Sequence, residues 1–149
     1  MNNDSHKKRV FLTITGIRTD ADGNSMKTST EHEAACLDEG TGHSFLYNEE
    51  GEETVLFLSP HVVRVERGGK TGTRMVFDPS VTMTECSYVT PFGTIPMEIS
   101  TERIVIMDGG RRDRGSQKFR IAGRVKYRLR IGGDDPAECS VTIKAQQID

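Results

Sequence analysis

Tyr88, Tyr127 and Arg67 are the residues of this chain best suited to holding a small molecule. Each sits in a stretch where apolar and polar residues alternate, which places it on a strand with one apolar face. Two phenols and a guanidinium converging on an apolar cavity supply the few fixed polar groups that orient a ligand there. In the competing reading the hydroxyls reach backbone groups at a barrel rim, Arg67 faces water, and the barrel is filled by its own side chains.

Other chemistry is harder to assemble. His6, His32, His43 and His61 show neither H-x-x-x-H nor Cys/His spacing, although His32 between Glu31 and Glu33 would supply part of a metal site. There is no G-x-S-x-G elbow and no dinucleotide fingerprint, and the glycines between positions 68 and 72 lack the following helix that phosphate binding needs. The sequence therefore predicts no metal, no cofactor and no catalytic residue, and points to a binding module rather than an enzyme. Cys36, Cys86 and Cys139 are odd in number and far apart, with no C-x-x-C pair. They read as reduced thiols, Cys86 and Cys139 as small buried residues within strands.

Charge is segregated along the chain. Arg111, Arg112, Arg114, Lys118, Arg120, Arg124, Lys126, Arg128 and Arg130 form a basic row opposed locally only by Asp113. No Lys or Arg occurs between Lys27 and Arg64, where Glu31, Glu33, Asp38, Glu39, Glu49, Glu50, Glu52 and Glu53 gather. Three readings follow: cross-strand or intersubunit pairing of the two groups, a solvated face that blocks edge-to-edge aggregation, or an anion-binding surface. Nucleic acid would want aromatic side chains among Arg120, Arg124, Lys126, Arg128 and Arg130 for stacking, and none alternates with them on that face. A net charge of -2 and a pI near 6.1 give the whole chain no bias toward nucleic acid or membrane. The expected partners are thus a small apolar ligand and, through the charged exterior, a second copy of the chain.

The elements that must position these residues are strands. Residues 7–15, 44–48, 54–58, 62–67, 73–77 and the long run 82–107, split by Thr90-Pro91-Phe92-Gly93, all alternate or are continuously apolar. The strictest pattern puts Phe119, Ile121, Gly123, Val125, Tyr127, Leu129 and Ile131 on one face, and Ala137 to Ala145 repeats it. Gly123 is the expected bend in that long strand. Met26 to Leu37 is ambiguous, because EHEAACL favours a helix; a lone helical turn would have no apolar stripe to bury, so a strand is expected. Short turns make sequence neighbours spatial neighbours, and closure removes the two exposed edges. All-β architecture follows: an antiparallel up-and-down β-barrel of about eight to ten strands, with an orthogonal sandwich as the alternative. One domain spanning residues 1–149 is expected, residues 1–6 forming a disordered tail. The amino terminus has no apolar core of a signal peptide and no run approaches ~20 apolar residues, so a cytoplasmic protein with no membrane contact is predicted.

Val63 to Gly69 (V-x-R-x-E-R-G-G), Arg74 to Phe77 (R-M-V-F), Tyr88 to Gly93 (Y-V-T-P-F-G), Ile99 to Ile104 (I-S-T-E-R-I) and Val125 to Leu129 (V-K-Y-R-L) follow one another in an order that resembles the YwiB-like family of small bacterial proteins. The resemblance covers nearly the whole chain after Arg9. It implies a calycin-like, lipocalin-type barrel and no activity. Arg67, Tyr88, Thr90, Gly93, Thr101 and Tyr127 match the family pattern, which adds Thr101 to Arg67, Tyr88 and Tyr127 as candidate ligand residues inside the barrel. Glu31 to Gly40 departs from the more β-branched pattern expected there.

Overall fold

The structure, a computed structural model, describes residues 7–68, 72–108 and 118–148. Residues 1–6 and the loop arginines Arg111, Arg112 and Arg114 lie outside them. The described residues form ten strands: β1 (Lys7–Thr19), β2 (Ser25–Asp38), β3 (His43–Glu49), β4 (Glu52–Leu58), β5 (Val63–Arg67), β6 (Thr73–Phe77), β7 (Thr84–Thr90), β8 (Gly93–Asp108), β9 (Arg120–Ile131) and β10 (Ala137–Gln147). Each pairs antiparallel with the next, and β1 pairs with β10 to close the barrel. The sheet is a single closed cylinder rather than two packed layers, which settles the choice between barrel and sandwich.

The β2 segment is a strand over its whole length, paired with β1 from Ser25 to Leu37. Its helix-favouring residues are overridden because His32, Ala34 and Cys36 turn inward in phase with Leu12, Val10 and Lys8 across the pair. The inner face holds the core. Val10, Leu12, Phe45, Leu56, Leu58, Val63, Ile99, Val125 and Ile143 are almost wholly removed from water. Each such side chain contributes roughly 1.5–3 kcal/mol through burial.

Two details keep this face apolar along β8 and β9. A register shift between Thr101 and Arg103 sets Glu102 in a bulge on β8. The inward phase thereby passes from Ile99 and Thr101 to Ile104 and Ile106, and the alternation survives a strand of 16 residues. On β9, Gly123 is a site of close approach: a Cβ there would stand 2.9 Å from Leu58 Cδ1 and 3.1 Å from Ile106 Cδ1. The missing side chain makes room for two neighbours in the core. Outside, Phe11 is only partly covered and borders a groove with Met107 and Lys144.

The antiparallel order brings the turns after β1, β3, β5, β7 and β9 to one end of the barrel. There the walls are uneven. β2 pairs with β3 only from Ala35 to Asp38, so these two strands part toward this end, whereas β6 and β7 are paired here, at Thr73–Tyr88 and Arg74–Ser87, and part toward the other. The wall is consequently open between β2 and β3 at this end.

Candidate ligand site at the open end of the barrel

A tight turn fixes the first of the polar side chains at this end. Glu50 (φ 54°) and Gly51 (φ 83°) are both left-handed, the two-residue geometry whose twist matches a hairpin. Glu49 and Glu52 are thereby locked opposite one another, and the phase Phe45, Tyr47, Glu49 faces inward. The same register logic runs sideways around the wall. Tyr47 lies opposite Thr54, Thr54 opposite Arg67, Arg67 opposite Thr73, Thr73 opposite Tyr88, and Tyr88 opposite Ile95. A belt of polar side chains thus crosses five consecutive strands and gives way to isoleucine on the sixth.

The belt is braced by charge. Arg67 forms an ion pair with Glu49, and His32 Nε2 stands 3.6 Å from the other carboxylate oxygen. These three side chains are largely buried, with 24%, 21% and 12% of their surfaces exposed. The His32 and Tyr47 rings meet at 4.6 Å between centroids, bridging the gap where β2 and β3 diverge. Burial pushes the Tyr47 phenol above its ordinary value, with the nearby Arg67 charge pulling the other way.

Beside the ion pair is a cavity of about 440 Å³ lined by Val65, Arg67, Thr73, Met75, Tyr88, Ile95, Met97, Leu129 and Ile131. Its volume is within the range of small-molecule sites. The walls are aliphatic and thioether surface, and the polar groups are confined to Arg67, Thr73 and Tyr88. Among the described residues, Thr73 Oγ1 is buried without a hydrogen-bond partner, as are His32 Nε2 and Thr101 Oγ1. Leaving such a group unpaired costs about 1–3 kcal/mol, so each is a place where a bound polar atom would be favoured.

The four candidates named from sequence fall into two places. Arg67 and Tyr88 share the cavity wall. Thr101 and Tyr127 are cross-strand partners deeper in the barrel, Tyr127 two residues inward from Leu129 and packed edge-on against Phe77 at 4.7 Å. Burial pushes the Tyr127 phenol far up, and the adjacent Cys139 thiol adds to the shift, while Arg18 opposes it. His32, Tyr47, Glu49 and Thr73 are site residues that the sequence reading missed. The available signal was phase: each continues the inward alternation of its strand.

The basic row of β9 faces outward, as its alternation required. Lys126 lies 3.8 Å from Glu102, Arg128 3.4 Å from Glu138, and Arg130 3.9 Å from Glu98. Arg124 donates to Thr142 Oγ1, and Arg120 also has a partner. The counter-charges come from the adjoining strands β8 and β10, not from the acidic segment 31–53. Among the described residues no His, Cys, Asp or Glu cluster is arranged to hold a metal ion. No helix among them is long and apolar enough to cross a membrane.

Comparison with known proteins bears on the fold. Residues 12–143 match the family described as Domain of unknown function (DUF1934). The crystal structure of the ywiB protein from Bacillus subtilis superposes with a TM-score of 0.73, covering 97% of this chain and 94% of that chain at 19% sequence identity. At that identity the likeness concerns architecture alone. No curated protein matches the chain.

Proposed function

Because the chain belongs to the DUF1934 family, whose description assigns no activity, we propose from the site itself that it is a non-catalytic binding protein. It holds a small, largely apolar ligand in the open end of its barrel. The observation that carries this reading is the cavity of about 440 Å³, aliphatic on most of its wall and provided with Arg67, Thr73 and Tyr88 at one side. Pockets of that size and composition bury most of a small ligand's surface and orient it through a few polar contacts. A closed barrel used in this way would be calycin-like. The reading also assigns the protein to the cytoplasm, supported by Cys36, Cys86 and Cys139, which are all free thiols.

Native mass spectrometry of protein purified without denaturation tests the proposal, compared with Ile95→Trp, which adds bulk at the rim of the cavity. The expected result is a discrete mass increment on the wild type that the variant loses. Bare mass for both, together with no binding of apolar probes by the wild type, would contradict it.

A further inference from the structure

We propose that the ligand is an amphipathic acid, a carboxylate carried on an apolar body, with its head group bound by Arg67, Thr73 and Tyr88. This deepens the reading of the open end as a ligand site and rests on it.

Arg67, Thr73 and Tyr88 occupy directly opposed positions on β5, β6 and β7, so their side chains form one row across three strands. Neighbours in such a row have Cβ atoms about 4.5–5.5 Å apart, close enough to converge on a single group. All three bring donors. A guanidinium has five N–H donors and no acceptor, and the two hydroxyls can each donate. Among the described residues no carboxylate lines the cavity. Three donors set in an aliphatic wall ask for an acceptor, and the charge on Arg67 asks for an anion.

The ion pair with Glu49 does not exhaust Arg67. A carboxylate engages at most two of the five donors, and the contact here is made through one terminal nitrogen to one oxygen. The remaining donors belong to a side chain that also lines the cavity. His32 Nε2 stands 3.6 Å from the other Glu49 oxygen, close enough to move into a hydrogen bond with it when Arg67 turns toward a ligand. Thr73 Oγ1, buried and unpaired beside Arg67, gains its hydrogen bond in the same event. The planar fork of arginine matches a carboxylate geometrically, which selects that head group over a cation or an alcohol. The body of the ligand is set by Val65, Met75, Met97, Leu129 and Ile131, where thioether side chains adapt to varied shapes.

The test is a calorimetric titration of the whole chain with four probes sharing one alkyl chain, decanoate, decyl phosphate, decanol and decylamine, each below its micelle concentration. Decanoate should bind at least about tenfold more tightly than decanol and decylamine. Arg67→Met should abolish that preference, and Arg128→Met, outside the site, should leave it unchanged. Thr73→Val, which keeps volume and removes the hydroxyl, should narrow the preference even if Arg67→Met fails to fold. Equal binding of decanoate and decanol, or preference for decylamine, would overturn the acid class while leaving the ligand site standing. Preference for decyl phosphate over decanoate would overturn the carboxylate assignment. No binding of any probe would overturn both readings.

Discussion

The guanidinium of Arg67 on β5 pairs with the carboxylate of Glu49 on β3, reaching past the strand between them, and so ties the polar side of the cavity to the rim of the barrel. Both charges are three-quarters or more removed from water, which makes loss of either partner more costly than loss of a surface pair. Glu49→Gln should destabilise the fold by about 1–3 kcal/mol, read from the urea midpoint. Combining it with Arg67→Met should cost less than the sum of the single changes. Additive effects would show that the pair does not couple in solution.

Gly42 packs where no side chain fits. A Cβ there would stand 2.5 Å from the Leu58 carbonyl oxygen and 2.8 Å from Ser59 Cβ, and neither can retreat without moving the backbone. Gly42→Ala should therefore destabilise by about 1–3 kcal/mol in thermal unfolding. Gly123→Ala meets only the ends of Leu58 and Ile106. Its cost should be reduced by Leu58→Val, which clears the contact. Failure of that second change to help would assign the role of Gly123 to backbone shape.

Stability should fall on the alkaline side. Burial pushes the Cys36 thiol from its ordinary 9.0 up to about 11. Below the ordinary value the thiol is protonated in folded and unfolded chains alike, so nothing is lost. Between 9.0 and about 11 the unfolded chain gives up its proton while the folded chain keeps it. The unfolded state is favoured by up to about 1.4 kcal/mol per pH unit from this group. Tyr127, raised above its ordinary 10.0, adds the same trend from that pH upward. Urea midpoints across this window should decline, and Cys36→Ala should flatten the decline.

The outward face of β9 should be nearly silent. Its Lys126, Arg128 and Arg130 contacts are exposed cross-strand pairs, worth at most about 1 kcal/mol each. Arg128→Ala should shift stability by less than that. Because Glu98, Glu102 and Glu138 offset the row, no retention of nucleic acid is expected at about 0.15 M salt. Salt-sensitive retention would show that the cations act together despite their partners.

Much of this fold was legible because period-two alternation needs no knowledge of distant contacts. Phe119 to Ile131 gave one face directly, and short turns implied a meander. The bulge at Glu102 was not legible, since an inserted residue breaks the pattern only once the partner strand is known. The site was half visible. Arg67 and Tyr88 stood out as polar residues in apolar strands. Thr73 did not, because an unpaired hydroxyl is a property of its surroundings. Glu49 was counted with the acidic segment, although its inward phase follows from Phe45 and Tyr47. His32 was weighed beside Glu31 and Glu33, its neighbours in sequence, whereas strand geometry turns those to the opposite face and brings Glu49 to it.

The most direct test is a methyl NMR titration of the labelled protein with decanoate. Binding in the barrel mouth predicts saturable shifts at the methyl groups of Met75, Ile95, Met97 and Ile131, with Met107 and Val105 on the exterior unmoved. Shifts confined to the exterior methyls, or no saturable shift at all, would contradict the account.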